Sequence, residues 1–302
     1  MRAVRDRVMG TELLAVLPPG EAAAVLGWLH QVEAVFSRFR PGSDVSRANA
    51  GGRVAVSELF LRVLTEACAH QKRTGGLFSP FLGAEVARAG YAVDFDAIGA
   101  IGVAEPAEPA EPAPARTAGT PLVHLDHDDG TIRLPDGVAV DLGGFVKGWS
   151  VQAAADALCS ERGLIDAGGD LVAWRGHADR PWRVGVDHPT AQEPVGVLEL
   201  PRSAAVATSS VVRRSWPTAT GGRAHHIIDP RTGEPADSDC LQATVLAGNL
   251  AAAEVYATCL TILGTAEGPG WLAGLDPTAT WLTVDRDGTV RHSPDLPLEP
   301  AA

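Results

Sequence analysis

Aromatic residues and cysteines are scarce in this sequence, and long apolar runs are absent. Aromatic side chains make up 5% of the 302 residues, and there are four cysteines. No two cysteines form a C-x-x-C pair, and no Cys/His cluster has zinc spacing, so we expect unpaired thiols in a reducing compartment. No segment reaches the roughly 18 apolar residues that a membrane span needs, so no span is predicted.

Positive charge is also in short supply. Lys and Arg total 25 against 37 Asp and Glu, which gives a net charge of −12. A general nucleic-acid binder usually presents a basic surface, so this composition argues against that class of function. Any anionic ligand must therefore be held by local features, such as backbone N–H groups, a few cations or a metal ion.

The N-terminal segment does not resemble a secretion leader. Its apolar stretch at 13–17 is far too short for the core of a signal peptide and runs straight into Pro18 and Pro19. The sequence therefore predicts a cytoplasmic location.

Hydrophobic residues at 45% and charged residues at 21% are typical of a globular protein with a sizeable core. Helical spacing of apolar residues predicts helices at 21–39, 56–74, 147–162 and 248–263. Short apolar runs between turn signals predict strands at 122–125, 131–134, 138–142, 163–165, 171–173, 183–186, 196–200, 204–207 and 281–284. The pattern indicates a mixed α/β fold with many hairpin-like turns.

One segment, 104–118, differs from the rest because it repeats Ala-Glu-Pro. Proline at this density forbids a helix or an inner strand. We expect an exposed, extended loop insertion.

Two glycine-containing segments could approach a ligand closely. Residues 140–148 read V-D-L-G-G-F-V-K-G, in which a strand, a glycine turn and a helix start follow one another. Such a helix N-terminus can bind an anion, with Lys147 adding charge, although a plain strand–helix turn has the same pattern. Residues 166–170 read D-A-G-G-D, which fits either close approach to a ligand or an ordinary hairpin turn.

Two further segments carry chemically versatile side chains. His226, Asp229 and Arg231 lie beside a tight turn, and a histidine there can act as a proton shuttle or simply occupy the surface. Glu254 and Thr258 are four residues apart in a predicted helix, so they share a face. Their hard oxygen atoms suit Mg²⁺, although a helix-surface pair would look the same.

Taken together and in this order, the segments resemble the ApbE family, the FAD:protein FMN transferases. Further segments that carry the resemblance are M-G-T at 9–11, F-S-R-F-R-P-G-S-D-V-S-R-A-N at 36–49, T-G-G-L-F-S-P at 74–80, A-V-A-T-S at 205–209 and H-I-I-D-P-R-T-G at 226–233. The resemblance covers most of the chain, and the number and order of the motifs make coincidence a poor explanation.

The resemblance implies a fold and an activity. The fold is a single ApbE-like mixed α/β domain over residues 1–302, with two T-fold-like halves around an FAD cleft. The activity is Mg²⁺-dependent transfer of FMN from FAD to a Thr or Ser hydroxyl of an acceptor flavoprotein, with release of AMP.

The resemblance also implies roles for individual residues. Metal ligands are expected at Glu254, Thr258 and the backbone carbonyl of Gly144. His226 is the candidate for proton transfer or pyrophosphate contact, with Asp229 second. The expected FAD contacts are Met9, Phe39, Leu77, Phe78, Ser79, Asp141, Lys147 and Ile228, with Thr208 and Ser209 beside the diphosphate.

The sequence departs from the family pattern at several of these positions. Glu254 stands where the family usually has Asp, Phe39 where it has Tyr, and Ser79 where it has Asp. Two alternatives therefore stay open: an Mg²⁺-dependent FAD pyrophosphatase that uses water as nucleophile, and an FAD-binding protein that has lost its metal chemistry.

Overall fold

The chain forms a mixed α/β structure dominated by antiparallel sheets, which confirms the predicted fold class. The computed structural model describes residues 1–95, 121–201, 203–218 and 222–300. The predicted insertion at 104–118 lies outside the described residues. The helices are α1 (Pro19–Phe36), α2 (Asp44–Asn49), α3 (Glu58–Arg73), α4 (Gly83–Arg88), α5 (Val146–Asp156) and α6 (Leu250–Leu275).

The chain divides into two compact units, each built from segments that are distant in sequence. The first unit comprises Met1–His30, Lys147–Arg213 and Ser238–Ala302, and the second comprises Gln31–Val146 and Arg214–Asp237. The single domain over residues 1–302 stays a prediction.

The first unit contains an eight-stranded antiparallel sheet. Its strands, in spatial order, are β1 (Arg2–Val8), β2 (Thr11–Leu17), β6 (Gly163–Ala167), β7 (Leu171–Trp174), β10 (Ser203–Ser210), β15 (Cys240–Ala247), β16 (Thr280–Asp285) and β17 (Val290–His292). A smaller sheet orders β18 (Leu298–Pro300), β9 (Gly196–Leu200) and β8 (Trp182–Val186). The first part of α6 is buried almost all round and packs against β10 and β15, as its uniformly apolar sequence favours.

The second unit contains shorter strands. One sheet orders β3 (Arg53–Ala55), β5 (Thr131–Arg133) and β4 (His124–Asp126). Two hairpins pair β11 (Ser215–Pro217) with β12 (Arg223–His225), and β13 (Ile228–Asp229) with β14 (Glu234–Pro235). Helix α3 buries the apolar face predicted from its spacing. Ser57 caps its N-terminus, because the Ser57 hydroxyl accepts from the Phe60 N–H at 3.1 Å.

Several predicted boundaries were wrong. The strand predicted at 138–142 does not form: the Asn49 side chain exchanges two hydrogen bonds with the Val140 backbone, at 2.9 and 2.7 Å, in place of a neighbouring strand. Helix α5 ends at Asp156 rather than 162. The end predicted at 263 was right, since α6 is interrupted at Gly264, although a second helical stretch then continues to Leu275. Strands β1 and β2 were missed.

Among the described residues, no helix combines the length and the apolar character that crossing a membrane requires.

Candidate functional site

A buried cluster of opposite charges lies in the first unit where α5 begins. The Lys147 ammonium forms an ion pair with Asp170 and lies 3.7 Å from Oε1 of Glu254. The Asp170 and Glu254 side chains are only 2% and 6% exposed. Two buried carboxylates beside one ammonium leave a net negative charge, so the cluster favours a further cation or additional hydrogen-bond donors.

Backbone N–H groups meet part of that demand. Oδ1 of Asp170 accepts from the Thr208 N–H at 3.0 Å. Oε2 of Glu254 accepts from the Gly148 N–H at 2.8 Å, in the first turn of α5. A helix N-terminus interacts favourably with a negatively charged side chain, so the start of α5 is a suitable place for this carboxylate. A Cβ at Gly148 would lie 2.8 Å from the same Oε2 atom, so glycine is required for this close approach.

Hydroxyl groups extend the site along α6 and β10. Thr258 lies one turn after Glu254, and its Oγ1 is 3.1 Å from the Ser209 hydroxyl. Thr208 faces Thr244, its register partner on β15, with 2.9 Å between their hydroxyl oxygens. Hydroxyl and carboxylate oxygens from α6, β10 and β15 therefore lie in this part of the unit.

These donors fit a magnesium ion in type, because Mg²⁺ prefers hard oxygen ligands and usually keeps several waters. Among the described residues, no group of three His, Cys, Asp or Glu side chains is arranged to hold a metal. A metal here would therefore use the Glu254 carboxylate with hydroxyl oxygens and water. Gly144, the other ligand implied by the resemblance, lies exposed in the second unit, and its role stays a prediction.

The D-A-G-G-D segment forms the β6–β7 hairpin turn. Asp166 Oδ1 accepts from the Gly169 N–H at 2.8 Å, and the Ala167 N–H donates to the Asp170 carbonyl at 2.9 Å. Burial raises the pKa of Asp166, partly offset by the Gly169 hydrogen bond and by nearby Lys147. The turn also directs Asp170 towards Lys147, so the hairpin and the functional interpretations of this motif are compatible.

Met9 occupies the tip of the β1–β2 hairpin with a φ of 52°, in the left-handed region. A non-glycine residue rarely adopts this conformation. Gly10 follows with a φ of 68°, and a two-residue hairpin turn with positive φ at both positions accounts for this conformation. The FAD contact expected at Met9 stays a prediction.

An aromatic cluster forms in the second unit around Tyr91. Its ring lies 5.6 Å from the Phe39 ring and 5.4 Å from the Trp216 ring, measured between centroids. Ile228 packs in the same cluster. Burial raises the pKa of the Tyr91 phenol, and the positive charges of Arg214 and Arg38 partly offset this effect.

Arg38 connects this cluster to the 140–148 segment. Its guanidinium lies 4.5 Å from the Phe39 ring centroid and 4.2 Å from that of Tyr91, which is cation–π geometry. Its Nη1 donates to the Tyr91 carbonyl, and its Nε lies 3.4 Å from Oδ2 of Asp141. Oδ1 of Asp141 accepts from the Gly143 N–H at 2.7 Å, which orders the glycine turn.

The 77–79 segment follows the end of α3. Leu77 and Phe78 are buried, and the Phe78 ring lies 6.0 Å from that of Phe145. The Ser79 hydroxyl accepts from the Gln71 amide at 3.1 Å and from the Phe81 N–H at 3.2 Å. Ser79 thus holds this turn with a hydroxyl, where the family pattern has a carboxylate.

The two candidate catalytic residues have different surroundings. Asp229 is buried, and both its oxygens accept from the Arg231 guanidinium at 2.7 to 3.1 Å. This bidentate pair fixes the turn after β13. His226 is half-buried, with Nδ1 3.3 Å from the Arg214 carbonyl. An imidazole suits proton transfer better than a carboxylate whose two oxygens are already held by the Arg231 guanidinium.

The adjacent His225 is also half-buried. Its Nε2 lies 3.0 Å from the Ala236 carbonyl, and Nδ1 is buried without a hydrogen-bond partner among the described residues. Burial lowers the pKa of His225, partly offset by the hydrogen bond to Ala236. His225 therefore holds β12 in place as a neutral side chain.

The structure brings many of the predicted residues together within each unit. Lys147, Glu254, Thr258, Ser209 and Thr208 lie along adjoining elements of the first unit. Phe39, Asp141 and Ile228 meet around Tyr91 in the second. Asp170, Arg38, Tyr91 and Trp216 are site neighbours that sequence reasoning left out. The sequence did offer a signal for Asp170 and Arg38, because they lie inside the motifs at 166–170 and 36–49 that carry the family resemblance.

Comparison with known proteins shows the family to which the chain belongs. The model of the ApbE family matches residues 9–282. The chain belongs to the ApbE family. An FAD:protein FMN transferase of Vibrio cholerae is 31% identical over 250 residues, covering 80% of this chain and 72% of the relative. One from Treponema pallidum is 30% identical over 260 residues, covering 78% of this chain and 69% of the relative.

Solved structures show the same ApbE fold. The ApbE protein of Thermotoga maritima has a TM-score of 0.79 at 24% identity, covering 97% of both chains. The flavin transferase ApbE of Vibrio cholerae has a TM-score of 0.71 at 24% identity, covering 97% of this chain and 96% of that one. At this identity the likeness shows the fold alone.

Proposed function

We propose that this ApbE-family protein transfers FMN from FAD to a Thr or Ser hydroxyl of an acceptor flavoprotein and releases AMP. The observation that carries the proposal is the oxygen-donor set of α6, Glu254 and Thr258, beside buried Lys147. It occurs in a chain whose relatives in Vibrio cholerae and Treponema pallidum are named FAD:protein FMN transferases.

The reaction makes a defined demand on the protein. The acceptor hydroxyl oxygen forms a bond to the FMN phosphorus, the bond from that phosphorus to the bridging oxygen breaks, and AMP leaves with that oxygen. The hydroxyl proton must be taken up, and the negative charge on the diphosphate must be neutralised. Bound Mg²⁺ would supply Lewis-acid neutralisation of the diphosphate oxygens.

Residues of the first unit would serve the diphosphate and the metal. Glu254 and Thr258 would hold Mg²⁺, with the Gly148 N–H fixing the carboxylate. Lys147 would provide a positive charge, and its ion pair with Asp170 keeps the ammonium in position. Thr208 and Ser209 would donate to phosphate oxygens, because a hydroxyl can rotate its proton towards an acceptor.

Residues of the second unit would serve the rings and the proton. Phe39 and Ile228 offer apolar surface for a ring, and Asp141 offers a carboxylate acceptor at an ordered turn. His226 would accept the hydroxyl proton. Asp229 would keep the turn beside it in place through Arg231.

The test is intact-mass analysis of an acceptor flavoprotein domain carrying an Asp-Gly-x-Thr-Ser-Gly-Ala-Thr-like segment. It is incubated with the protein, FAD and Mg²⁺. The expected gain equals FMN minus water, located on the Thr or Ser and lost when EDTA replaces Mg²⁺. His226→Ala should slow the gain strongly, whereas His292→Ala, on exposed β17, should leave it unchanged.

Other outcomes identify the alternatives. AMP and FMN released without any acceptor would indicate a pyrophosphatase. FAD retained tightly in EDTA with neither product would indicate a binding protein without metal chemistry. Either result would contradict the proposal.

A further inference from the structure

We propose that Arg38 is a positioning residue for FAD binding, a role that rests on the proposed function. Arg38 would hold the surface formed by Phe39 and Asp141 in a binding-competent arrangement. We call Arg38, Phe39, Tyr91 and Asp141 the Arg38 cluster. None of the family motifs assigns a role to the position of Arg38.

The first argument is connectivity. Arg38 precedes Phe39 in the turn after α1, Tyr91 follows α4, and Asp141 begins the glycine turn before α5. The guanidinium contacts each of these segments, through two aromatic rings, one carbonyl and one carboxylate. Two of the expected FAD contacts, Phe39 and Asp141, therefore depend on one side chain for their relative placement.

The second argument is energetic. The Arg38 side chain is only 14% exposed, and its Nη2 atom is buried without a hydrogen-bond partner among the described residues. Burying such a donor is unfavourable. An apolar side chain would fill this space without that penalty, so simple core packing does not account for an arginine here. An apolar residue could not supply the positive charge and the planar set of N–H donors of the guanidinium.

The third argument comes from a neighbouring arginine that lacks these features. Arg40 lies two residues further on, is 54% exposed and forms a 2.8 Å ion pair with Glu33. It has the same charge on the same turn but has no contact with the aromatic rings among its described interactions. Arg40 therefore offers a matched control.

The experiment measures FAD binding by the full-length variants Arg38→Met, Arg38→Lys and Arg40→Met, through quenching of flavin fluorescence. Arg38→Met should raise the Kd for FAD about tenfold or more. Arg40→Met should change it less than twofold. Arg38→Lys should bind FAD more tightly than Arg38→Met but less tightly than the wild type, because lysine keeps the positive charge and lacks the planar guanidinium donors. In turnover assays, Arg38→Met should raise KM for FAD more than it lowers kcat.

Near-UV circular dichroism of the FAD-free variants provides a second readout. Arg38→Met should alter the aromatic signal, because the Tyr91 and Phe39 rings both lose their contact with the guanidinium. Arg40→Met should leave the signal unchanged. If Arg38→Met does not fold, the comparison of Arg38→Lys with Arg40→Met decides.

An Arg38→Met protein that binds FAD within twofold of the wild type would overturn the inference and leave the proposed function intact. A wild-type protein that binds no FAD would instead overturn the proposed function, and the role of Arg38 with it.

Discussion

At the scale of single residues, the most consequential feature is a buried charge that relies on partners distant in sequence. Lys147 reaches Asp170 and approaches Glu254, and each carboxylate also accepts from a backbone N–H. Removing one partner of a buried ion pair is far more destabilising than removing one at the surface, because the remaining charge is left without compensation.

Asp170→Asn tests this argument. The amide oxygen can still accept from the Thr208 N–H, but the charge facing Lys147 is lost. We expect the free energy of unfolding, measured in urea, to fall by about 1.5–3 kcal/mol, because Lys147 loses its nearer charged partner while Glu254, at 3.7 Å, still offsets part of its charge. Asp187→Asn is the matched control, because Asp187 pairs with Arg213 at 2.8 Å while 71% exposed, and should lose at most about 1 kcal/mol. Equal effects of the two variants would contradict the assignment.

His225 predicts a pH dependence. Burial lowers the pKa of His225 in the folded state, so the unfolded chain binds the proton more readily. Stability contributed by the neutral ring is therefore present above the ordinary histidine pKa of about 6.5 and is lost as the pH falls below it.

Urea unfolding at several pH values between 7.5 and 5.5 checks this expectation. The unfolding free energy should decrease as the pH is lowered. His225→Gln should reduce the dependence of this free energy on pH, by up to about 1.4 kcal/mol per pH unit. His292→Gln, on exposed β17, should leave the slope unchanged. An unaltered slope in His225→Gln would show that His225 does not contribute.

At the scale of elements, α6 is interrupted where it changes direction. Gly264 has a φ of 83° and a ψ of 177°, outside the helical region. Asp239 then caps the continuation, since its carboxylate accepts from the Thr265 N–H at 2.8 Å and from the Thr265 hydroxyl. The helical pattern predicted to 263 thus ends at a real break, and a second helical stretch follows it.

Gly264→Ala should be strongly destabilising. The left-handed φ is unfavourable for alanine, and a Cβ there would lie 2.5 Å from Oδ1 of Asp239, which disturbs the cap. We expect a loss of about 2–3 kcal/mol in chemical denaturation. Gly274→Ala should instead gain about 0.5–1 kcal/mol, because this helical glycine has open space around its Cβ position. An unchanged free energy of unfolding in Gly264→Ala would contradict the helix break at Gly264.

At the scale of the whole molecule, each unit is assembled from segments that lie far apart in the sequence. The Pro-rich segment at 104–118 falls between β3 and β4 in sequence and carries none of the expected site residues. Its composition predicts a loop insertion that contributes little to either unit.

Replacing residues 104–118 by a short Gly-Ser linker should therefore leave FAD affinity within about twofold and the thermal midpoint within about 2 °C. Loop length affects stability only weakly. Calorimetry and FAD titration check both values. A large loss of either would show that the segment takes part in folding or binding.

Local sequence patterns were enough to determine the ApbE family, the mixed α/β class and most helices. They also placed Glu254 and Thr258 one turn apart, because helical periodicity depends only on near neighbours. The prediction of a strand at 138–142 was wrong, because Asn49, which is distant in sequence, supplies hydrogen bonds to the Val140 backbone. Only the tertiary structure brought Lys147 to Asp170 and Arg38 to Tyr91. Such pairs depend on strand order, hairpin register and non-local packing, which no local pattern specifies.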